Sequence, residues 1–174
     1  MNHPQISLPE LVFLGDFGNE WKPYIEAVYE MFRRDFIQSK PRFRGRKIAL
    51  KRLPLIDGKE CTFYHITHKG SDEQNRIPDL RRCERIGWAR PVIEECDTWE
   101  LKVWPQKHGS ELRICIWLER EGEPDYMVIL ADRKTHILLW TAFVIEYPHE
   151  KRKRQHEYDA YKKAEAAQHR RTAS

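Results

Sequence analysis

Two apolar runs, Tyr126–Ala131 and Ile137–Ile145, constrain the fold most. Each has the length of a strand, and only a short polar turn around residues 132–135 separates them. Apolar residues at consecutive rather than alternate positions indicate strands buried on both faces, so these two belong at the centre of a sheet. Upstream, Leu112, Ile114, Ile116 and Leu118 alternate with Arg113, Cys115 and Trp117. Trp99, Leu101 and Val103 likewise alternate with Glu100 and Lys102. Successive β-type segments with short breaks predict an antiparallel meander.

The N-terminal part has a different period. Within residues 19–38, Trp21, Tyr24, Val28, Phe32 and Phe36 recur at helical spacing, with Asn19 placed as the cap and Pro23 in the first turn. After Pro41, Ile48 and Leu50 alternate with Lys47 and Lys51. Asp57-Gly58 is a turn signal, and Cys61–His68 follows as a β-type run, so a hairpin is expected with His65 and His68 on opposite faces. Asp79 is placed to cap a short helix that turns Leu80, Cys83 and Ile86 inward, and Pro91 either ends this piece or starts another short helix through Glu95. The stretch from His149 is polar and rich in helix formers, with Tyr158, Tyr161 and Glu165 as a thin contact stripe. The expected fold class is therefore α+β: an N-terminal helix and a short helical segment packed on an antiparallel β-meander, with a polar, basic C-terminal helix. The expected organisation is an N-terminal segment over 1–18, a single α+β domain over 19–146, and a basic helix or tail over 147–174.

Charge is distributed unevenly. Residues 147–174 hold eight Lys/Arg against four Asp/Glu, which accounts for the whole net charge of +4. Arg33 to Arg52 contains nine basic residues and one acid, Asp35, whereas Glu111 to Asp125 contains five acids and two bases. One basic side would attract polyanions. Cys61, Cys83, Cys96 and Cys115 are scattered without a CxxC pair, so a zinc site would need isolated ligands, and reduced thiols in a cytoplasmic protein are expected. No signal peptide, membrane span, GxGxxG or Walker-type loop is evident, so neither membrane attachment nor a nucleotide cofactor is expected.

The residues best suited to chemistry lie between His65 and Arg90. Five arginines and no lysines occur from residue 76 to 90: Arg76, Arg81, Arg82, Arg85 and Arg90. The guanidinium fork matches phosphate oxygens, although Glu84, Glu94 and Glu95 are also available as salt-bridge partners. A histidine beside such a cluster suits acid–base work, and His65 and His68 are the candidates, or else hydrogen-bonded structural residues. Thr141 interrupts an apolar strand in Trp140-Thr141-Ala142-Phe143, so its hydroxyl either finds a partner or reflects β-propensity.

This arrangement resembles the barnase–EndoU–colicin–RelE superfamily, closest to its phage-associated nuclease branch. The likeness rests on a helical N-terminal part, a His-x-Thr element, arginine-rich connections and a meander ending in a Thr-Ala-aromatic strand, over roughly residues 45–146. It implies a small, metal-independent and cofactor-free endoribonuclease, toxin-like, that cleaves RNA by attack of the ribose 2′-OH. By that likeness His65 matches the acid–base histidine, Arg82 or Arg85 the phosphate-neutralising cation, and Thr141 the late-strand hydroxyl. Arg76, Arg81, Arg90, His68 and Tyr158 would then contact substrate. Relatives often place tyrosine where this chain has Phe143, so a phenol there is not available.

Two rivals stand beside it. Pro78-Asp79 followed by Glu100-Leu101-Lys102 spells the PD-(D/E)xK pattern of metal-dependent nucleases, in which paired carboxylates hold Mg²⁺. A non-catalytic module would instead hold nucleic acid or a protein partner on its basic segments. An inhibitor or antitoxin-like protein covering the basic face is compatible with either the nuclease or the binding module.

Overall fold

The computed structural model describes residues 4–174, so the first three residues of the expected 1–18 segment lie outside the described residues. Strands β1 (Arg42–Phe43), β2 (Arg46–Ala49), β5 (Lys102–His108), β6 (Glu111–Leu118), β7 (Asp125–Asp132) and β8 (Ile137–Ile145) form one sheet in the order β1-β2-β8-β7-β6-β5. The two continuous apolar runs are β7 and β8, and they do occupy its middle. From β5 to β8 the sheet is an antiparallel meander. It is mixed as a whole, because β2 runs parallel to β8 through Ile48↔Ile137 and Ala49↔Leu138. A separate two-stranded ladder joins β3 (His68–Lys69) to β4 (Ile77–Pro78).

One helical layer covers one face. Helix α1 (Trp21–Phe32) buries Tyr24, Val28 and Phe32, spaced four apart on one stripe, and continues as a π-helical turn over Arg33–Gln38. Its cap falls one residue later than predicted: Asn19 takes a left-handed φ of 60°, and Glu20 stands at the N-cap. Helices α2 (Cys61–Thr67), α3 (Leu80–Glu84) and α4 (Ala89–Glu95) complete the layer. Asp79 caps α3 as expected, its carboxylate accepting from Arg82 N at 3.3 Å.

Helix α2 overturns the predicted strand over 61–68. The Asp57-Gly58 turn forms, closing Ile56 against Lys59, but the chain then coils instead of returning. The amides of Cys61 and Thr62 donate to the carbonyls of Arg52 and Lys51, so the preceding segment satisfies donors that a helix start leaves open. Six of the seven residues are buried, three of them polar, so neither a helical nor a strand period of apolar residues marks one face.

The main core lies between these helices and the sheet, and the N-terminal segment packs Ile6, Leu8, Leu11 and Val12 onto it. A second cluster, including Trp104, Trp117, Met127 and Ile145, lies on the opposite face beneath Tyr158 and Tyr161. Those two tyrosines belong to α5 (Pro148–Thr172), which buries no residue fully. All four cysteines are free and buried. Among the described residues no helix is long and apolar enough to cross a membrane.

Candidate functional site

The site forms where β2 stops. Its pairing to β8 ends at Leu138, and beyond that point α2 lies against β8. There β8 bulges: Ile129 pairs with Thr141 and Leu130 with Leu139, which leaves Trp140 as the extra residue. A bulged residue drops out of the ladder, and its polar groups are free for other partners. The Trp140 carbonyl faces His65 Nδ1 at 3.2 Å, and because a carbonyl only accepts, Nδ1 must carry the proton. The lone pair of the neutral ring is then on Nε2.

Thr141 and Arg82 finish helix α2. Thr141 Oγ1 donates to the His65 carbonyl at 2.8 Å. Arg82 Nη1 donates to the carbonyls of His65 and His68, each at 3.0 Å, and to Thr141 Oγ1 at 3.3 Å. These carbonyls are among those that the end of a helix leaves without partners, so both side chains are structural before they are anything else. Arg82 Nε is buried without a hydrogen bond, with Asp79 Oδ2 at 3.4 Å.

A cleft of about 210 Å³ opens here, lined by His65, Lys69, Gly70, Arg76, Arg82, Trp140 and Thr141. It is smaller than the roughly 300–1,000 Å³ typical of drug-sized pockets, and suits a single phosphate group with little more. Three of its lining residues are cations and none is a carboxylate. Arg76, at the foot of β4, has a buried Nε with no partner. Among the described residues it makes no ion pair, whereas five of the nine cations over Arg33 to Arg52 (Arg33, Arg34, Arg44, Arg46 and Lys51) are each paired with a carboxylate. The basic segment singled out in the sequence is therefore about half neutralised, and Arg76 adds an unpaired positive charge within the cleft.

His65 is 3% exposed. Burial, reinforced by the charge of Arg76, holds its pKa below the ordinary 6.5, so the ring is neutral at neutral pH. Its Nε2 lies 3.4 Å from Cys61 Sγ and 3.4 Å from Glu73 Oε1. A hydrogen bond from Lys51 keeps the Glu73 carboxyl below its ordinary range.

Of the residues predicted for the site, His65, Arg76, Arg82 and Thr141 come together, and the other five do not. Helix α3 ends at Glu84, and Arg85 turns away to lie over the Trp88 ring, with Nη1 donating to the Arg81 carbonyl at 3.1 Å. Arg81 pairs with Glu146, just past β8, at 3.3 Å, and Arg90 with Glu94 at 2.6 Å, and neither lines the cleft. His68 turns into a different hollow, beside Tyr64 and Trp21. Tyr158 is on the far face of the sheet, edge-on to Trp104, so it cannot close over the cleft. The PD-(D/E)xK pattern does not assemble either. Glu100 sits in a turn before β5, and Lys102 reaches Gln155 of α5 on the face opposite Asp79. Lys69 and Trp140 also line the cleft, while Cys61 and Glu73 beside His65, and Lys51 on Glu73, carry no local sequence signal for a site.

Comparison with protein-family models, with curated proteins and with solved structures finds no match to this chain.

Proposed function

We propose that the chain is a metal-independent endoribonuclease that seats one RNA phosphodiester in the His65 cleft. The observation that carries this reading is the convergence of a neutral imidazole with Arg76, a cation lacking any carboxylate partner, around a phosphate-sized space. The barnase–EndoU–colicin–RelE likeness belongs with it, and the four free cysteines suit a cytoplasmic setting.

In this scheme His65 Nε2 removes the 2′-OH proton while the Trp140 carbonyl holds the ring in the competent tautomer. The 2′-oxygen bonds to phosphorus and the P–O5′ bond breaks. Arg76 and the unengaged edge of Arg82 balance the charge that builds on the phosphoryl oxygens. Lys69 is the ammonium on the cleft wall that can return a proton to the departing 5′-oxygen. Thr141 positions the helix end and does not touch substrate.

The test is incubation of pure protein with labelled RNA and DNA, with and without EDTA. Cyclic 2′,3′-phosphate ends on RNA that persist under chelation, and that His65→Gln abolishes, are the expected result. Intact RNA bound in a salt-sensitive way would establish a binding module in place of the enzyme.

A further inference from the structure

Cys61, His65 and Glu73 set three different donor atoms facing one another in a way the cleavage scheme does not use. We infer that they form a binding site for a thiophilic divalent cation, Zn²⁺ by chemistry, which takes the same His65 nitrogen that the proposed nuclease needs. The inference is independent of whether the chain cleaves RNA.

Cys61 Sγ is within hydrogen-bond reach of both His65 and Glu73, and the same three donors stand where a metal ion needs them. Cys61 and His65 are one helical turn apart on α2, so both point to one side, and Glu73 comes across from the loop between β3 and β4. Sγ, Nε2 and Oε1 are 3.4, 3.4 and 3.7 Å apart. Bonds of about 2.3 Å to sulfur and 2.0–2.1 Å to nitrogen or oxygen, at tetrahedral angles, place ligand atoms roughly 3.3–3.6 Å from one another. The three donors thus already stand near the corners of a zinc tetrahedron.

Proton bookkeeping agrees. With Nδ1–H directed at the Trp140 carbonyl, Nε2 presents a lone pair towards a sulfur and a carboxylate oxygen, and only the single thiol proton lies between them. A metal-bound histidine characteristically donates its other N–H to a carbonyl or carboxylate, and the Trp140 carbonyl is in place for that. Lys51 Nζ holds the same Glu73 oxygen, as an outer hydrogen bond to a ligating carboxylate does. One thiolate and one carboxylate neutralise a divalent cation, so the loaded site carries no net charge beside Lys51 and Arg76. Thiolate with imidazole selects Zn²⁺ over Mg²⁺ or Ca²⁺, and three protein donors leave the fourth position to water.

Zinc and the base are then alternatives at one nitrogen: a metal-loaded ring cannot accept the 2′-OH proton. Chelator-treated full-length protein titrated with Co²⁺ should show one equivalent bound, with a thiolate-to-cobalt charge-transfer absorption that Zn²⁺ displaces. Cys61→Ser should abolish that absorption. Glu73→Gln, a change at a partly exposed loop residue that leaves the helix intact, should weaken Zn²⁺ binding by about 100-fold or more, since outer partners alone are worth roughly 10–100-fold. Zn²⁺ affinity that is unchanged in folded Glu73→Gln, or cobalt absorption lacking the thiolate band in the parent chain, overturns the site. Should the parent chain cleave RNA, Zn²⁺ inhibits it at concentrations that leave Glu73→Gln active. Should it never cleave, the absorption titration still decides the metal site, so the two readings fail separately.

Discussion

His68 should make the fold acid-sensitive in a way that one substitution isolates. The ring is 6% exposed, with Thr67 Oγ1 2.8 Å from Nδ1 and the Tyr64 ring at 5.0 Å. Burial, then the charges of Arg76 and Arg82, lower its pKa from 6.5 to about 4, against a smaller opposing effect of Asp79. The unfolded chain therefore binds a proton at His68 between pH 6.5 and 4 that the folded chain refuses. The stability tied to the neutral ring is fully present above pH 6.5 and is lost as pH falls towards 4. At 1.36 kcal/mol per pH unit the whole gap is worth about 3 kcal/mol, of which about 2 kcal/mol is already lost at pH 5. Urea unfolding of the parent chain and of His68→Gln, each at pH 7 and pH 5, measures this directly. Carboxylates and His65 titrate in both proteins, so their effect cancels in the difference of differences, and packing lost on substitution cancels between the two pH values. The parent should lose about 2 kcal/mol more than the variant over this interval. Equal losses would refute the argument, because they would mean that the buried ring takes up its proton without cost.

Further expectations concern the cleft and the far face. Arg82→Met removes the donor shared by the His65 and His68 carbonyls and should cost about 3 kcal/mol, while Thr141→Val should cost about 1–2 kcal/mol, both read from denaturant midpoints. Arg76→Gln, which breaks no side-chain hydrogen bond or ion pair among the described residues, should leave stability within about 0.5 kcal/mol while reducing the slope of log affinity against log salt by about 0.7 for single-stranded RNA; an unchanged slope removes Arg76 from the phosphate site. Tyr158→Ala should loosen α5 from the Trp104 cluster at a cost of about 2 kcal/mol, seen as faster amide exchange confined to that helix.

The sheet was legible because its signal is local and redundant. Continuous apolar runs at β7 and β8 and period-two alternation at β6 admit few other arrangements. Helix α2 was not, since burial on every side erased the period that separates helix from strand, and what decides its form is a pair of backbone bonds to Arg52 and Lys51. The charge pattern misled for a related reason: composition counts the cations of residues 33–52 but not the partners Asp97, Asp132 and Glu73 that the fold delivers to them. His65, Arg76, Arg82 and Thr141 were chosen for their chemistry and do meet, although two of them meet as helix-end donors. Glu73 had no sequence signal, because a lone acid in a polar loop looks like any other.

The bulge at Trp140 connects these observations. In a regular β8 the Trp140 carbonyl would lie within the ladder and its ring would alternate with its neighbours. The extra residue lets the ring lie under Arg113 at 4.2 Å and edge-on to the His65 ring at 5.1 Å, while the carbonyl also turns to His65. That one bond fixes the imidazole tautomer and so directs a lone pair at Cys61 and Glu73, on the border of a cleft whose cations have few counter-charges. Thr141, the next residue, then holds the end of α2 so that the ring cannot turn away. A fold that needed only a buried structural histidine could have satisfied both ring nitrogens from its own backbone. Here Nδ1 meets a backbone carbonyl, while Nε2 shares a single thiol proton with Cys61 and Glu73, a proton that a metal ion can replace.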